Sequence, residues 1–287
     1  IRDSSTSRGL GDVYKRQEKA PARVARRVRH ELRFRQLDVT RVEDITPAMR
    51  RITLAGPDLA GFTSLSFDDH VKLFFPEPGA PLALPVAGPN GVVFPEGQPR
   101  PPARDYTPRR YDEAAGILEI DFALHENGPA TDWASRARPG NRIGLGGPRG
   151  SFVIPMDFDW HLLVGDETAL PAIGRRLEEL PEGSHALVIA EVAGPAEEQV
   201  WRSQAKLDLR WVHRGRVPPG QGGGLEEALR ALTLPGGEGY AWVACESLVA
   251  KRLRQILVER HGLLKERIKA AGYWKLGAAG AHETHND

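Results

Sequence analysis

Hydrophobic and polar positions change their spacing about halfway along the chain. From Phe34 onward the apolar residues come in short alternating runs, at 36–39, 51–54, 71–75 and 117–124. A period of two marks strands with one buried face. The runs are punctuated by Gly56-Pro57, by Pro76 and by a stretch rich in Gly and Pro, 79–102, that reads as one long loop. Many short strands without a helical period predict an antiparallel β-barrel or sandwich. Thr131 is placed to open a short helix, and the glycine cluster at 144–150 reads as a domain boundary.

Beyond it, buried-type strands at 161–164, 185–192, 207–213 and 241–245 alternate with helical stretches. The first helical stretch carries Ile173, Leu177 and Leu180, the second Val200, and the third spans 225–232. A last, long one is capped by Ser247 and carries Val249, Leu253, Ile256 and Leu257 on one stripe. Strand–helix alternation predicts a parallel sheet whose ligands bind at the carboxyl ends of its strands. That places Gly165, Asp166, Glu167 and Thr168 on one rim with Cys245, Glu246 and Ser247. No G-x-G-x-x-G follows the first strand, so the usual dinucleotide fingerprint is absent. The expected fold is an N-terminal antiparallel β-barrel followed by a Rossmann-like parallel α/β domain. We divide the chain into a disordered or non-native basic lead-in (1–30), the barrel (31–155), the α/β domain (156–277) and a tail (278–287). Residues 1–17 have no periodicity and read as disordered or foreign sequence.

Composition narrows the function. Lys and Arg number 39 against 38 Asp and Glu, a net charge of +1, which argues against whole-molecule attraction to nucleic acid. The basic run at 19–41 lacks interleaved aromatic residues for stacking bases and reads as a solvated lead-in. One cysteine, Cys245, precludes an intramolecular disulfide or a cysteine cluster for iron–sulfur or zinc. No apolar run approaches the ~20 residues of a membrane helix, and no secretory pattern is seen, so no membrane insertion and a cytoplasmic location are expected. The histidines are dispersed, and no metal-ligand set is expected.

The most informative stretch is Arg104-Asp105-Tyr106-Thr107-Pro108-Arg109. In an extended strand Arg104 and Tyr106 share one face and Asp105, Thr107 and Arg109 the other. This guanidinium, aromatic ring and hydroxyl suit a flavin dinucleotide, which offers a pyrophosphate, a flat ring and a polar ring edge. An ordinary polar strand ended by proline is the competing reading. Further on, Gly128-Pro129-Ala130-Thr131 turns into a helix whose first amides could hold a second phosphate.

Four motifs in order resemble the siderophore-interacting protein family, FAD-dependent ferric-siderophore reductases with a ferredoxin-reductase-like layout. They are the Arg104–Arg109 stretch, His125 with Gly128-Pro129-Ala130 and Trp133-Ala134, the segment 165–173, and Gly272-Tyr273-Trp274-Lys275. The resemblance runs from about Phe34 to Gly277. It implies that 31–155 is a six-stranded FAD-binding barrel and 156–277 an NAD(P)H-binding α/β domain, receiving NADPH or NADH. Carried over by position, Arg104 binds FAD phosphate, with Asp105 and Arg109 in the same motif. Tyr106 stacks on the flavin ring, Thr107 bonds near its reactive nitrogen, and His125, Gly128, Ala130 and Thr131 line the remainder. Gly165, Asp166, Glu167 and Thr168 face the nicotinamide. Lys72, Arg149 and Lys275 are the nearest matches for cations that hold an anionic ferric siderophore. Cys245 is read as a small buried side chain, and Arg214 and Arg216 are candidates for a 2′-phosphate. Two alternatives stay open: a related reductase exchanging electrons with a ferredoxin-type partner, and a siderophore carrier without turnover.

Overall fold

The computed structural model describes residues 23–77, 79, 81–88, 91–125, 128–278 and 283–285. The chain opens with β1 (Arg26–Arg29), β2 (Phe34–Thr46), β3 (Met49–Ala55), β4 (Val71–Phe74), β5 (Val86–Gly88) and β6 (Gly91–Val93). It continues through β7 (Ala103–Tyr106), β8 (Arg110–Asp112), β9 (Ile117–Ala123), α1 (Pro129–Arg136), β10 (Arg142–Gly146) and β11 (Gly150–Val153). The antiparallel sheet runs β7-β4-β10-β2-β3-β9-β8. Its two outermost strands, β7 and β8, are consecutive in the chain. The turn at 107–109 therefore joins the sheet's two edges and closes it, with Arg109 N–H donating to Glu119 O at 2.9 Å. Counted as one broken strand, β7 and β8 complete a six-stranded barrel. Leu37, Ile52, Leu54, Leu73, Leu118, Ile120 and Ile143 fill it.

Several expectations for this half are corrected. The glycines at 144–150 are not a linker: β10 lies between β2 and β4. A Cβ at Gly146 would lie 2.8 Å from the Phe34 ring, so glycine is there for close packing. The basic lead-in is ordered at Arg26–Arg29, which pair with β11, and Arg27 sits over Phe152, 5.8 Å from the ring centre. Residues 1–22, including the segment read as disordered or foreign, lie outside the described residues. The long loop contains the β5–β6 hairpin.

The second half contains β12 (Trp160–Gly165), α2 (Leu170–Glu179), β13 (His185–Val192), β14 (Lys206–His213) and α3 (Gly224–Ala231). It ends with β15 (Gly239–Glu246), α4 (Ser247–Glu259), β16 (Ile268–Trp274) and β17 (Glu283–His285). The sheet order is β14-β13-β12-β15-β16-β17, parallel through β16. Strand order reverses between β12 and β15, the switch point where such sheets leave a crevice. No α-helix forms around Val200, which is 99% exposed. A 3-10 turn at Pro195–Glu197 replaces it, and Trp201 packs on Trp211 with ring centres 5.2 Å apart. The α4 cap is Glu246, whose carboxylate accepts from Leu248 N and Val249 N, and Ser247 is the first helical residue.

Barrel and α/β domain share one core. Met49 and Phe67 of the barrel side pack with Leu170, Ile173, Leu177 and Trp242. Polar contacts reinforce the junction: Glu197 accepts from Thr46 Oγ1 at 2.5 Å and Ala48 N at 3.1 Å. Asp68 accepts from Trp242 Nε1 at 3.0 Å and pairs with Lys269 at 2.5 Å.

Candidate functional site

A cavity of about 710 Å³ lies between the two domains, within the ~300–1,000 Å³ of typical cofactor and ligand pockets. Strand β7 and the turn after it give one wall, with Arg104, Asp105, Tyr106 and Thr107. The start of α1 gives a second, with His125, Gly128 and Ala130. The rim of the parallel sheet gives the third, with Asp166, Glu167, Thr168 and, from the chain end, Tyr273, Trp274 and Lys275. Four separate stretches singled out in the sequence are thus brought together.

Each wall is built by local rules. Arg104 keeps Nη1 on the Ala103 carbonyl at 2.8 Å, and no carboxylate among the described residues pairs with it. Tyr106 packs one side against Phe122, with centroids 4.4 Å apart, and burial pushes its phenol up. The strand ends there, because Pro108 has no N–H for a ladder. Alternation therefore does not sort the motif into two faces, and Asp105 and Thr107 also line the cavity. Thr107 and Tyr273 line the cavity together, and burial pushes the Tyr273 phenol well up. Gly128 adopts φ 144° and Pro129 takes the first helical position, so α1 begins two residues before Thr131. Thr131 is buried, and its hydroxyl accepts from His125 N at 3.5 Å.

At the sheet rim, Asp166 is a hub. It accepts from Thr168 N at 3.0 Å, Thr168 Oγ1 at 2.6 Å and Trp274 Nε1 at 2.7 Å. Burial raises its pKa. Glu167 is also raised, by burial first and then by Asp166, although Arg214 pairs with it. Gly165 stands behind the wall, where a Cβ would lie 2.3 Å from Ala169 Cβ and 2.5 Å from Ala244 O. Cys245 is buried under α3 and α4, and desolvation pushes its thiol well up.

Other expected site residues stand off the cavity. Arg109 is buried and forms a fork with Glu178 at 2.8 and 2.5 Å. Lys72 is exposed and pairs with Asp105 at 2.7 Å. Arg149 is exposed outside the wall, and so is Arg216. The sequence reading missed Asp121, His70, Pro218 and Pro219 on the wall. Asp121 was legible as a charged residue amid the apolar run 117–124, but alternation assigned it to solvent.

The residues fit a flavin dinucleotide: a guanidinium without an acidic partner, an aromatic face and a hydroxyl share one wall, and a helix start lies beside them. Among the described residues no group of His, Cys, Asp and Glu could hold a metal ion, and no helix is long and apolar enough to cross a membrane.

Comparison with known proteins decides the family. The model for the siderophore-interacting FAD-binding domain matches residues 38–152, and that for the siderophore-interacting protein matches residues 158–277. The chain belongs to the siderophore-interacting protein family. Among members of this family, the NADPH-dependent ferric-chelate reductase of Escherichia coli is 40% identical over 256 residues, covering 88% of this chain and 97% of that protein. The ferric vibriobactin reductase ViuB of Vibrio cholerae is 34% identical, covering 85% and 90%. The crystal structure of a siderophore utilization protein from T. fusca superposes with a TM-score of 0.83 at 39% identity, covering 90% of this chain and 98% of that one. The family's barrel-then-α/β layout is the one described above.

Proposed function

We propose that the protein is an FAD-dependent reductase that uses NADPH or NADH to reduce ferric siderophores and release Fe(II), acting in the cytoplasm. The observation that carries this reading is that the Arg104–Thr107 wall and the switch-point rim of the parallel sheet line one cavity. Bound FAD would accept a hydride from the nicotinamide and give up its electrons singly to Fe(III). Arg104 supplies charge to the pyrophosphate, Tyr106 a face for the ring system, and Thr107 a hydrogen bond at its edge. The start of α1, with His125, Gly128, Ala130 and Thr131, supports the rest of the dinucleotide. Asp166, Glu167 and Thr168 shape the approach of the nicotinamide, and Arg214, paired with Glu167 on the same wall, is placed to offer charge to its phosphates. Lys275 lines the cavity and lies exposed at its mouth, suited to an anionic ferric chelate. Lys72 and Arg149 attract the chelate from the surface. Fe(II) matches hard oxygen ligands less well than Fe(III), so reduction loosens the chelate.

The test is an absorption spectrum of the purified protein, then anaerobic titration with NADPH and NADH, then addition of ferric chelates. A yellow protein with one FAD per chain is expected, bleached by a nicotinamide and reoxidised as Fe(II) appears. A colourless chain after reconstitution would point to a carrier. A flavin bleached by a reduced ferredoxin-type protein and by neither nicotinamide would point to a protein donor.

A further inference from the structure

Arg109 lies off the cavity yet ties two of its walls together. It is 4% exposed, and its guanidinium donates to both carboxylate oxygens of Glu178 on α2. Its Nε has no hydrogen-bond partner and sits 3.8 Å from Asp121, which accepts a fork from Arg51 at 2.7 and 2.8 Å. Next to it, Arg175 of α2 donates to Pro108 O and to Ser64 O, each at 2.9 Å. Each domain thus offers a guanidinium to the other across the 107–109 turn. Gly174 leaves the room: a Cβ there would lie 3.2 Å from Arg109 Nη2 and 2.8 Å from Trp201 Nε1.

Each side of this grip belongs to an element that also reaches the cavity. Thr107, two residues before Arg109, lines the barrel wall, and Thr168 and Pro171, at the start of α2, line the opposite rim. We propose that Arg109 is a positioning residue for hydride transfer: with Glu178 it fixes the gap between the wall that would hold the flavin and the rim that would hold the nicotinamide. The proposal rests on the reductase reading above. In the step concerned, the C–H bond of the reduced nicotinamide breaks and both its electrons leave with the hydrogen for the oxidised flavin. Such a step is sensitive to position, and a displacement of about 1 Å can cost roughly a hundredfold in rate. The buried arginine, the fork geometry and the place of Arg109, two residues from Thr107 and 3.8 Å from Asp121 on the cavity wall, all point the same way.

Glu178 is the safer residue to change, since its side chain is 37% exposed. The experiment compares Glu178→Ala, Glu178→Gln and Arg109→Lys with the unaltered protein by anaerobic stopped flow. The readouts are the limiting rate of flavin reduction per bound flavin at saturating NADPH, and the Kd for NADPH. FAD content and dithionite reduction should match the unaltered protein and Kd should stay within about twofold, while the limiting rate falls about tenfold or more in Glu178→Ala and Arg109→Lys. Glu178→Gln, which keeps one acceptor, should fall between. A limiting rate per flavin within about twofold of the unaltered protein in Glu178→Ala overturns the proposal. A loss that tracks flavin content alone also overturns it, because that is the signature of a purely structural ion pair. Failure of the reductase reading is distinguishable: the unaltered protein would then bind no flavin, or bind one that NADPH does not reduce.

Discussion

Arg104 and Arg109 belong to one six-residue stretch and end in different surroundings. Arg104 has no acidic partner among the described residues and faces the cavity, whereas Arg109 is buried against Glu178. Arg104→Ala should weaken FAD binding about tenfold to a hundredfold, because a charge-assisted contact contributes roughly 1.5–3 kcal/mol. Equilibrium dialysis would measure it, and undiminished FAD retention would remove Arg104 from the phosphate site. Lys275→Ala should raise KM for an anionic ferric chelate, and the penalty should shrink in high salt as screening shortens the reach of an exposed charge. A KM unchanged at low salt would place chelate capture elsewhere. The residue types of the Arg104–Thr107 wall were legible because each suits a part of a flavin dinucleotide. Glu119 and Asp121 were not: they occupy the polar positions of an alternating strand, yet are 8% and 3% exposed. Arg51 from the neighbouring strand and Arg109 from the turn face them, and that pairing depends on residues distant in sequence.

Elements were easiest to read where one period ran uninterrupted. Strand β13 was expected at 185–192 and lies there, since a continuous apolar run bounded by turns suits a strand buried on both faces. Connections were harder. The link from β13 to β14 was expected to be helical, but Trp201 anchors it to Trp211 and Gly174 by contacts across the fold. Glycine was harder still, since its spacing in sequence does not distinguish a linker from a tight contact. Gly165 belongs to the second kind, pressed between the start of α2 and the Ala244 carbonyl. Gly165→Ala should therefore destabilise the protein by about 1–3 kcal/mol, as overpacking does. A urea melt checks this, and an unchanged midpoint would mean that the strand ends can move apart.

At the scale of the whole molecule, near-neutral charge hides a local imbalance. Asp166, Glu191, Glu226 and Glu246 converge on one recess at the carboxyl ends of the parallel strands. Burial first, then Asp166, lifts Glu191 from its ordinary 4.5 to about 7. A carboxyl raised in the folded state holds its proton there while the unfolded chain has lost it. Its contribution is therefore favourable at low pH and is lost as pH rises from about 4.5 through about 7. Glu191→Gln should melt a few degrees higher than the unaltered protein at pH 8, each ~1 kcal/mol moving Tm by about 2–4 °C in a chain near this size. The gain should vanish near pH 4.5, below the window in which the carboxylate forms. Thermal melts at both values decide it, and equal gains at both would rule out titration as the cause. The order of the domains was legible from the change of period alone. Their docking was not, because Arg109, Glu178, Glu197 and Asp68 give no sign in the sequence of being partners of the opposite domain.

The place of β10 in the barrel has a consequence for synthesis on the ribosome. Strands β2, β3, β8 and β9 form one antiparallel ribbon, and β4 pairs with β7 in another. It is β10 that lies between them, hydrogen-bonded to β2 on one side and β4 on the other. Until Arg142–Gly146 have left the exit tunnel, no strand lies between the two ribbons to pair them into one sheet. The nascent chain can build its hairpins early, since their contacts are local, but it cannot close the barrel until β10 is inserted. Capture of a dinucleotide by the barrel therefore waits for β10, about halfway through synthesis. A ribosome stalled before β10 should carry a polypeptide with the whole Arg104–Thr107 stretch and no closed barrel around it.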